Sequence, residues 1–427
     1  MRYKSINNIL FKKNRKKLSD NLINDSLAII HSNDEMPKNG DQFFHFRQNS
    51  DLFYLTGIEQ PKSILCLCPN HPIPDFREIL FIELSTPENE IWFGHQLTKE
   101  DAQQISGIKN ILWLNDFSHT ISDIMRDFHT VFINETEVKK TDFVTRDIRY
   151  SERLKGLFTG HSFTNIAPML EKIRMVKEPE EIELINTACK ITGDAFQRMI
   201  RIIKPGIMEY EIEAEMLHEF IRNGCNGFAF EPIIASGPNA CILHYTENNK
   251  MCKNGDLVLL DFAADYANYG ADCSRTLPVN GHFTKRQREI YKTVLRVMKQ
   301  ATAMLLPGTS INEVHEKSCN MIHEELINLK LYNKKEADEA EKENPSWKKY
   351  FMHGISHYLG LDTHDVGKKS AELRPGMIVT CEPGIYIPKE GIGIRLENDI
   401  LITENGNINL TSHIPIEPDE IEALMNQ

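Results

Sequence analysis

Short apolar runs alternate with mixed polar segments through about the first 170 residues of the chain. The clearest runs lie at residues 26–31, 63–68, 79–84 and 131–134. Apolar runs of this length, separated by segments long enough for helices, are typical of the buried strands of an α/β domain. We therefore expect a sheet with helices between its strands in this part of the chain.

The pattern changes where a new helix begins. The run from Glu178 to Glu181 combines Pro179 with an acid-rich first turn, and apolar residues at helical spacing follow it. These are the signals of a helix start. We place the domain boundary just before this helix, which predicts an N-terminal α/β domain at 1–172 and a second domain at 173–427.

The second domain contains an internal repeat. A Pro-Gly pair at 205–206 recurs at 307–308, 102 residues later, and each pair lies between two predicted helices. An apolar strand ending on a carboxylate also recurs, 121 residues apart, and each copy continues into a second strand with another acid. Each match alone could be chance, but their shared order predicts two copies of helix, helix and β-hairpin about a pseudo-twofold axis. The acids are Asp261 and Asp272 in the first copy and Glu382 and Glu397 in the second.

These acids need compensation, because burying an unpaired carboxylate is costly. For one acid, a neighbouring Arg or Lys is the ordinary explanation, and Arg275 is a nearby candidate. For four acids that explanation weakens, because the repeat supplies no matching set of cations and Arg395 alone falls beside them.

Histidines accompany the acids. His353, His357 and His364 lie within twelve residues of one another, and the helical zinc-protease spacing H-E-x-x-H is absent. His244 and His364 precede the strand-end acid of their respective copies by 17 and 18 residues, so the repeat extends to a histidine in each half. A lone histidine here would be structural, whereas a cluster beside an acid-bearing hairpin indicates metal binding and proton transfer.

The combined charge of the four acids indicates which kind of cofactor the site would hold. Four carboxylates carry −4 and two divalent metals carry +4, so a binuclear centre with one neutral His ligand would be neutral. Oxygen-rich ligands with one imidazole and no thiolate favour Mn²⁺, with Co²⁺, Fe²⁺ and Zn²⁺ as alternatives, over a structural zinc site. Two such metals can share a water and polarise a carbonyl, which predicts hydrolysis.

Composition limits the partners and the compartment. Hydrophobic residues make up 41% and charged residues 26% of the chain, as in soluble globular proteins. The formal net charge of −12 disfavours nucleic acid and anionic membranes as partners, and no stretch approaches the ~20 apolar residues of a membrane span. The 9 cysteines include no C-x-x-C pair, which predicts reduced thiols and a cytoplasmic protein.

Two charged segments do not belong to the predicted metal site. Residues 1–19 contain seven Lys or Arg and no acid, a composition that a transit peptide could also show. Because the run leads directly into an amphipathic pattern, we interpret it as the exposed basic face of a first helix. The charged run at 331–347 predicts a solvated helix or loop.

The residues around the acids resemble the pita-bread metallopeptidases, and within them the Xaa-Pro aminopeptidase (aminopeptidase P) branch. The similarity lies in L-L-D-F-A-A-D, H-G-I-S-H-Y-L-G-L-D-T-H, C-E-P-G-I-Y and I-R-L-E-N-D. Residues 46–61 resemble the small domain that precedes the catalytic domain in aminopeptidase P and prolidase, so the similarity covers essentially the whole chain. It implies an α+β pita-bread catalytic domain after an α/β domain that narrows access and mediates association as a homodimer or homotetramer.

The resemblance also implies a role for individual residues. Its five metal-ligand positions fall on Asp261, Asp272, His357, Glu382 and Glu397. Its other catalytic or substrate-contacting positions fall on His244, His353, His364 and Arg395, with Tyr386 near the metals and Glu382 also relaying a proton. In this reading a metal-bridging hydroxide attacks the carbonyl before a proline at the second position of a peptide, which releases the N-terminal amino acid.

Three alternatives stay open. A prolidase uses the same metals and cleaves only Xaa-Pro dipeptides. A methionine aminopeptidase would not need the first 170 or so residues. A metal-free pita-bread protein used for binding should have lost ligands, whereas all five are present here, although fold alone does not decide function.

Overall fold

The computed structural model describes residues 2–136, 142–335 and 345–427. Residues 336–344 of the charged run predicted as a solvated segment therefore lie outside the described residues. The chain forms two compact units, of which one spans Lys4–Arg174 and the other holds Met175–Gln427 together with residues 2 and 3. Among the described residues, no helix has both the length and the apolar character of a membrane span.

A six-stranded mixed sheet forms the centre of the unit Lys4–Arg174. Its strand order is β6-β5-β4-β1-β7-β8, in which β1–β7, β5–β6 and β7–β8 are parallel and β1–β4 and β4–β5 are antiparallel. The elements are α1 Ile9–Ser19, β1 Ser26–His31, β2 Pro37–Asn39, β3 Gln42–Phe43, α2 Ser50–Thr56, β4 Ile64–Leu67, β5 Glu78–Ile82, α3 Pro87–Phe93, α4 Lys99–Ser106, β6 Asn110–Trp113, α5 Phe117–Ile124, β7 Thr130–Ile133, α6 Arg146–Leu157, β8 Ser162–Asn165 and α7 Ala167–Arg174.

The apolar runs that predicted strands become β1, β4, β5 and β7 of this sheet. Helices cover these strands and bury their side chains: Ile121 and Ile124 of α5 pack in one cluster with Leu27 and Ile29 of β1. The predicted α/β domain is confirmed.

The predicted basic face of the first helix is only partly correct. Lys12 and Lys16 are exposed on α1, but Arg15 is fully buried. Its Nη1 donates to the carbonyl oxygens of Leu55 at 2.7 Å and Ser106 at 3.0 Å. One cation of the basic run therefore joins α1 to neighbouring backbone instead of facing solvent, which a charge pattern alone does not reveal.

The unit containing Met175–Gln427 is built from helix pairs and small antiparallel sheets. The sheets have the orders β10-β11-β14, β13-β12-β9, β15-β18-β19 and β16-β17. The elements are α8 Pro179–Met199, α9 Glu209–Arg222, β9 Gly227–Phe228, β10 Ile233–Ser236, β11 Leu257–Asp261, β12 Ala264–Tyr266, β13 Tyr269–Gly270, β14 Ser274–Pro278, α10 Lys285–Met304, α11 Ile311–Asn328, β15 Ile378–Cys381, β16 Gly384–Ile387, β17 Ile392–Arg395, β18 Asn398–Thr403, β19 Gly406–Asn409 and α12 Pro418–Met425.

The predicted repeat is confirmed in this unit. Helices α8 and α9 precede the antiparallel pair β11–β14, just as α10 and α11 precede the antiparallel pair β15–β18. The strand pairs are not simple hairpins, however. Short strands β12 and β13 lie between the first pair, and the hairpin β16–β17 lies between the second.

Candidate metal centre and active site

A cavity of about 430 Å³ opens in the unit formed by Met175–Gln427. Every residue predicted as a metal ligand or catalytic group lines it, together with an apolar wall of Phe230, Ile233 and Leu243. The repeat therefore brings side chains from distant parts of the sequence into one place. The roles assigned to these side chains stay predictions.

Strand ends position the four carboxylates. Asp261 is the last residue of β11 and lies directly opposite Ser274 in β14, two residues after Asp272. In the second copy, Glu382 directly follows β15 and Glu397 directly precedes β18. Because opposed residues of antiparallel strands lie about 5 Å apart, each strand pair brings its two acids together.

Three of the predicted ligands form a tight group. Asp272, His357 and Glu397 each offer one donor atom, and these atoms lie within 4.8 Å of one another. His357 Nε2 lies 3.4 Å from Asp272 Oδ2 and 3.8 Å from Glu382 Oε1. One imidazole nitrogen thus faces the carboxylates of both copies of the repeat.

The ring of His357 is held so that this nitrogen is available as a ligand. Its Nδ1 lies 2.9 Å from the carbonyl oxygen of Tyr358, and a carbonyl can only accept, so Nδ1 carries the hydrogen. In the neutral ring, Nε2 then keeps its lone pair toward the acids. A hydrogen bond of this kind is how proteins commonly orient a histidine that binds metal.

The acids are electrostatically unfavourable as they stand. Burial raises the pKa of Asp272 well above its usual value, and the charge of Asp261 raises it further. Burial likewise raises the pKa of Glu397, with repulsion from Asp272 adding to it, and burial raises the pKa of Glu382. Nearby positive charge is therefore what would let all four acids ionise together.

Arg395 is the cation that contacts the acids. Its Nη2 donates to Asp261 Oδ2 at 2.6 Å, while Asp261 Oδ1 is buried with no hydrogen-bond partner among the described residues. Arg275, the candidate partner nearest in sequence, instead donates to the carbonyl oxygens of Glu397 at 2.7 Å and Pro415 at 2.9 Å. The ordinary alternative, in which Arg275 compensates a strand-end acid, is therefore not what the structure shows.

His353 belongs to a fixed chain of hydrogen bonds. Its Nδ1 donates to the carbonyl oxygen of Gly354 at 2.8 Å, and its Nε2 lies 2.8 Å from the hydroxyl of Tyr386. That hydroxyl accepts from Arg395 Nη1 at 3.0 Å, so it donates to His353. Burial and the charge of Arg395 lower the pKa of His353 to about 3, and the ring is neutral.

His244 and His364 face the cavity more freely. Both are exposed and line its wall, and the ring centroid of His364 lies 4.3 Å from that of His357. Partial burial and the neighbouring His357 lower the pKa of His364 to about 4. His364 is thus a neutral, solvent-reachable base beside the predicted ligand His357.

Comparison with known proteins identifies the class of this site. The family model for metallopeptidase family M24 matches residues 183–404, and the aminopeptidase P N-terminal domain matches residues 11–132. The chain belongs to metallopeptidase family M24. It is 36% identical to the Xaa-Pro aminopeptidase of Escherichia coli, with 97% of each chain covered.

Solved structures place this M24 chain in the pita-bread fold. It superposes with a TM-score of 0.93 on a putative aminopeptidase P from Bacillus anthracis, at 34% identity and with 99% of each chain covered. It superposes with a TM-score of 0.90 on Escherichia coli aminopeptidase P with the inhibitor Pro-Leu, at 35% identity and 99% coverage of each chain. The resemblance stated from sequence is confirmed, and so is the expectation of a metal-dependent peptidase.

The donor set fits the divalent metals that a family M24 metallopeptidase requires. Four carboxylates that repel one another, an imidazole nitrogen with a free lone pair and the unpartnered Oδ1 of Asp261 all converge on one cavity. Carboxylate and imidazole ligands without thiolate are suited to catalytic divalent ions. An arrangement held by Arg or Lys alone would require more cations than Arg395 supplies.

Two further residues of the M24 site were missed by sequence reasoning. Asp399 is fully buried, and its Oδ2 accepts from the backbone N–H of Asp272 at 2.9 Å. The Oγ of Ser274 donates to Glu397 Oε2 at 2.8 Å and accepts from Arg395 Nε at 2.9 Å. Both could have been found, because Ser274 lies two residues after Asp272 and Asp399 lies two residues after Glu397, so each shares a strand face with a predicted ligand.

Proposed function

We propose that this chain is a Xaa-Pro aminopeptidase, which hydrolyses the bond between the first residue of a peptide and a proline at the second position. The observation that carries the proposal is one cavity in which four carboxylates and His357 converge beside two exposed histidines. The similarity to Xaa-Pro aminopeptidases over 97% of the chain supports the choice of substrate bond.

Asp261, Asp272, His357, Glu382 and Glu397 would hold two divalent metals, and Mn²⁺ suits this oxygen-rich set best. When bound, the metals would supply positive charge that polarises the scissile carbonyl and lowers the pKa of a water. Supporting residues fix the ligands in place: the Tyr358 carbonyl orients His357, Ser274 holds Glu397, and Asp399 holds the backbone of Asp272.

The chain's own side chains divide the remaining work. Glu382 would hold the proton released by the attacking water, and its Oε2 lies 3.5 Å from His353 Nδ1. The neutral His353, held by the Gly354 carbonyl and the Tyr386 hydroxyl, would support the wall beside Glu382 instead of moving a proton. His364, neutral at pH 7, would take up a proton and deliver it to the leaving proline nitrogen.

Proline imposes a particular requirement on the site. The Xaa-Pro amide nitrogen carries no hydrogen, so a peptidase that binds that N–H cannot recognise it. Selectivity must come from the shape of the cavity around the pyrrolidine ring, and the cavity lining is partly apolar. Apolar fit discriminates by only about 1–3 kcal/mol per methylene, so selectivity over Xaa-Ala should be large but not absolute.

Three finer features belong to the same proposal. Residues 1–172 would control access and association, and residues 173–427 would carry catalysis. A homo-oligomer is supported by α3, on which Ile91, Trp92 and Phe93 are 82%, 76% and 76% exposed, since contiguous exposed apolar side chains mark interaction surfaces. A cytoplasmic location is supported by the cysteines, each of which is a free thiol.

The test compares a tripeptide with a dipeptide. With Mn²⁺ present, Ala-Pro-Leu should be cleaved at the Ala-Pro bond with a higher kcat/KM than Ala-Pro, and acetylation of the N-terminus should abolish turnover. Mass spectrometry of a time course identifies the bond that is cut. A clear preference for the dipeptide would reassign the chain to prolidase, and no cleavage of either peptide would reject the proposed function.

A further inference from the structure

One acid of the cavity has no role in the proposed metal set. Glu231 lines the cavity beside Phe230, two residues before the start of β10. Its side chain is exposed, and within residues 2–136, 142–335 and 345–427 its carboxylate makes no hydrogen bond or ion pair. A carboxyl group in a cleft, with no partner among the described residues, is available to a ligand.

The charge of Glu231 is not balanced by the rest of the cavity wall. Arg395 is already bound to Asp261 at 2.6 Å, and the four ligand carboxylates would be neutralised by two divalent metals. A cleft wall with one surplus negative charge attracts a cation more strongly than an open surface does.

The surroundings of this carboxylate suit a long basic side chain. Phe230 and Leu243 line the cavity with partly buried apolar surface. Lys and Arg side chains bury their aliphatic stems on such surface while the charged head reaches a polar group. A short or acidic side chain would gain neither contact.

The position of Glu231 relative to the metals suggests which residue of the peptide it meets. Ile233 lies directly opposite Asp261 in the strand pair β10–β11, and Glu231 lies two residues earlier, about 7 Å along an extended chain. The side chain of the first residue branches from the Cα bonded to the scissile carbonyl, and an extended Lys side chain spans about the same 7 Å. The third residue begins about 7 Å away, beyond the proline.

We propose that Glu231 selects peptides whose first residue, the one before proline, carries a positively charged side chain. The inference rests on the proposed Xaa-Pro cleavage and names its substrate class. Glu231 acts as a specificity-determining residue: it binds the charged head of Lys or Arg, while Phe230 and Leu243 pack against the stem.

The experiment compares two substrates that differ only in that charge. In Mn²⁺-loaded enzyme, Lys-Pro-Leu should have a kcat/KM about fivefold higher than Nε-acetyl-Lys-Pro-Leu, as expected for one partly exposed ion pair. Glu231→Gln should bring this ratio close to one, and Glu231→Lys should invert it. Glu404→Gln is the matched control: Glu404 is exposed, lies outside the cavity lining and loses the same charge, so the ratio should stay at the wild-type value.

Other outcomes would overturn the inference. An equal loss on both substrates in Glu231→Gln would assign the carboxylate to the N-terminal ammonium, and a charge effect seen only with Ala-Pro-Lys would assign it to the third residue. Calorimetry with Lys-Pro-Leu whose scissile carbonyl is replaced by a methylene measures binding without hydrolysis. Weaker binding of this analogue to Glu231→Gln supports the inference even if turnover fails, whereas normal turnover with an unchanged ratio rejects the inference and leaves Xaa-Pro cleavage standing.

Discussion

Two buried carboxylate environments of the same unit differ in how their charge is compensated. Glu209, at the start of α9, is fully buried and accepts four hydrogen bonds: from the N–H and hydroxyl of Ser236, the hydroxyl of Tyr245 and the N–H of Lys250, at 2.6–2.9 Å. The four cavity acids share one arginine. A buried acid with a full set of donors is explained by folding, whereas a group of acids without one indicates a ligand that folding does not supply.

The largest effect should come from a substitution among the four cavity acids, whose charge is least compensated. Asp272→Asn keeps the shape of the side chain but removes one ligand charge, so bound metal and peptidase rate should fall together, the rate by at least about 100-fold. The same variant, stripped of metal, should be more stable than metal-free wild type, because one repelling charge is gone. Elemental analysis, kinetics and thermal melts measure the three quantities; normal metal content with lost activity would remove Asp272 from the ligand set.

A change at a cavity residue outside the ligand set should act on rate alone. His364→Ala should keep the metals and slow turnover by about 10² to 10⁴, the range for loss of a general acid or base. His323→Ala is a suitable control, because this histidine bonds Tyr332 and does not line the cavity. Loss of metal in His364→Ala to the same extent as in Asp272→Asn would show that the roles assigned here are wrong.

The pH dependence of stability should separate metal-free from metal-loaded protein. The raised pKa values of Asp272, Glu382 and Glu397 mean that the folded, metal-free chain holds more protons than the unfolded chain above about pH 4. Its stability from these groups is therefore greatest below that pH and is lost as pH rises through the raised values.

Metal binding requires the ionised acids, so the stabilisation by Mn²⁺ should grow between about pH 5 and pH 7.5. The difference in melting temperature between loaded and chelated protein measures it and cancels the titration of all other groups. A difference independent of pH would contradict the assignment of these three acids to one metal centre.

The smallest of these effects should come from the fully compensated acid. Glu209→Gln replaces one acceptor oxygen by an NH₂ group, which cannot accept from the N–H of Lys250. We expect a loss of about 1–3 kcal/mol in the free energy of unfolding, equal with and without Mn²⁺. Denaturant titrations of both states provide the measurement, and a loss confined to the metal-loaded protein would show that Glu209 also supports the centre.

Much of the fold and of the candidate site could be predicted from the sequence, because local sequence patterns indicate them. Pro-Gly pairs and strand-end acids that recur in the same order identified the repeat, and apolar runs identified the sheet of the N-terminal unit. The strand pattern also argues against Arg275 as the partner of these acids. Successive strand residues point to opposite faces, so if Ser274 faces the same side as its partner Asp261, the next residue, Arg275, faces away.

Other features depend on contacts that no local pattern encodes. The hairpin β16–β17 has no counterpart of the same form in the first copy of the repeat, yet it brings Arg395 to Asp261 and Tyr386 to His353. The sequence likewise does not distinguish Arg15 from the other cations of the basic run, because its carbonyl partners lie on distant segments. Long-range partners of charged residues are thus the information that the fold adds.

We infer that the surplus buried acids of this cavity hold the metals on which peptidase activity depends. Chelated protein should be titrated with Mn²⁺ while metal content and Ala-Pro-Leu hydrolysis are followed in the same samples. We predict that activity is absent without metal, rises with metal content and saturates at about two ions per chain. Full activity in a sample shown by elemental analysis to be metal-free would contradict the account.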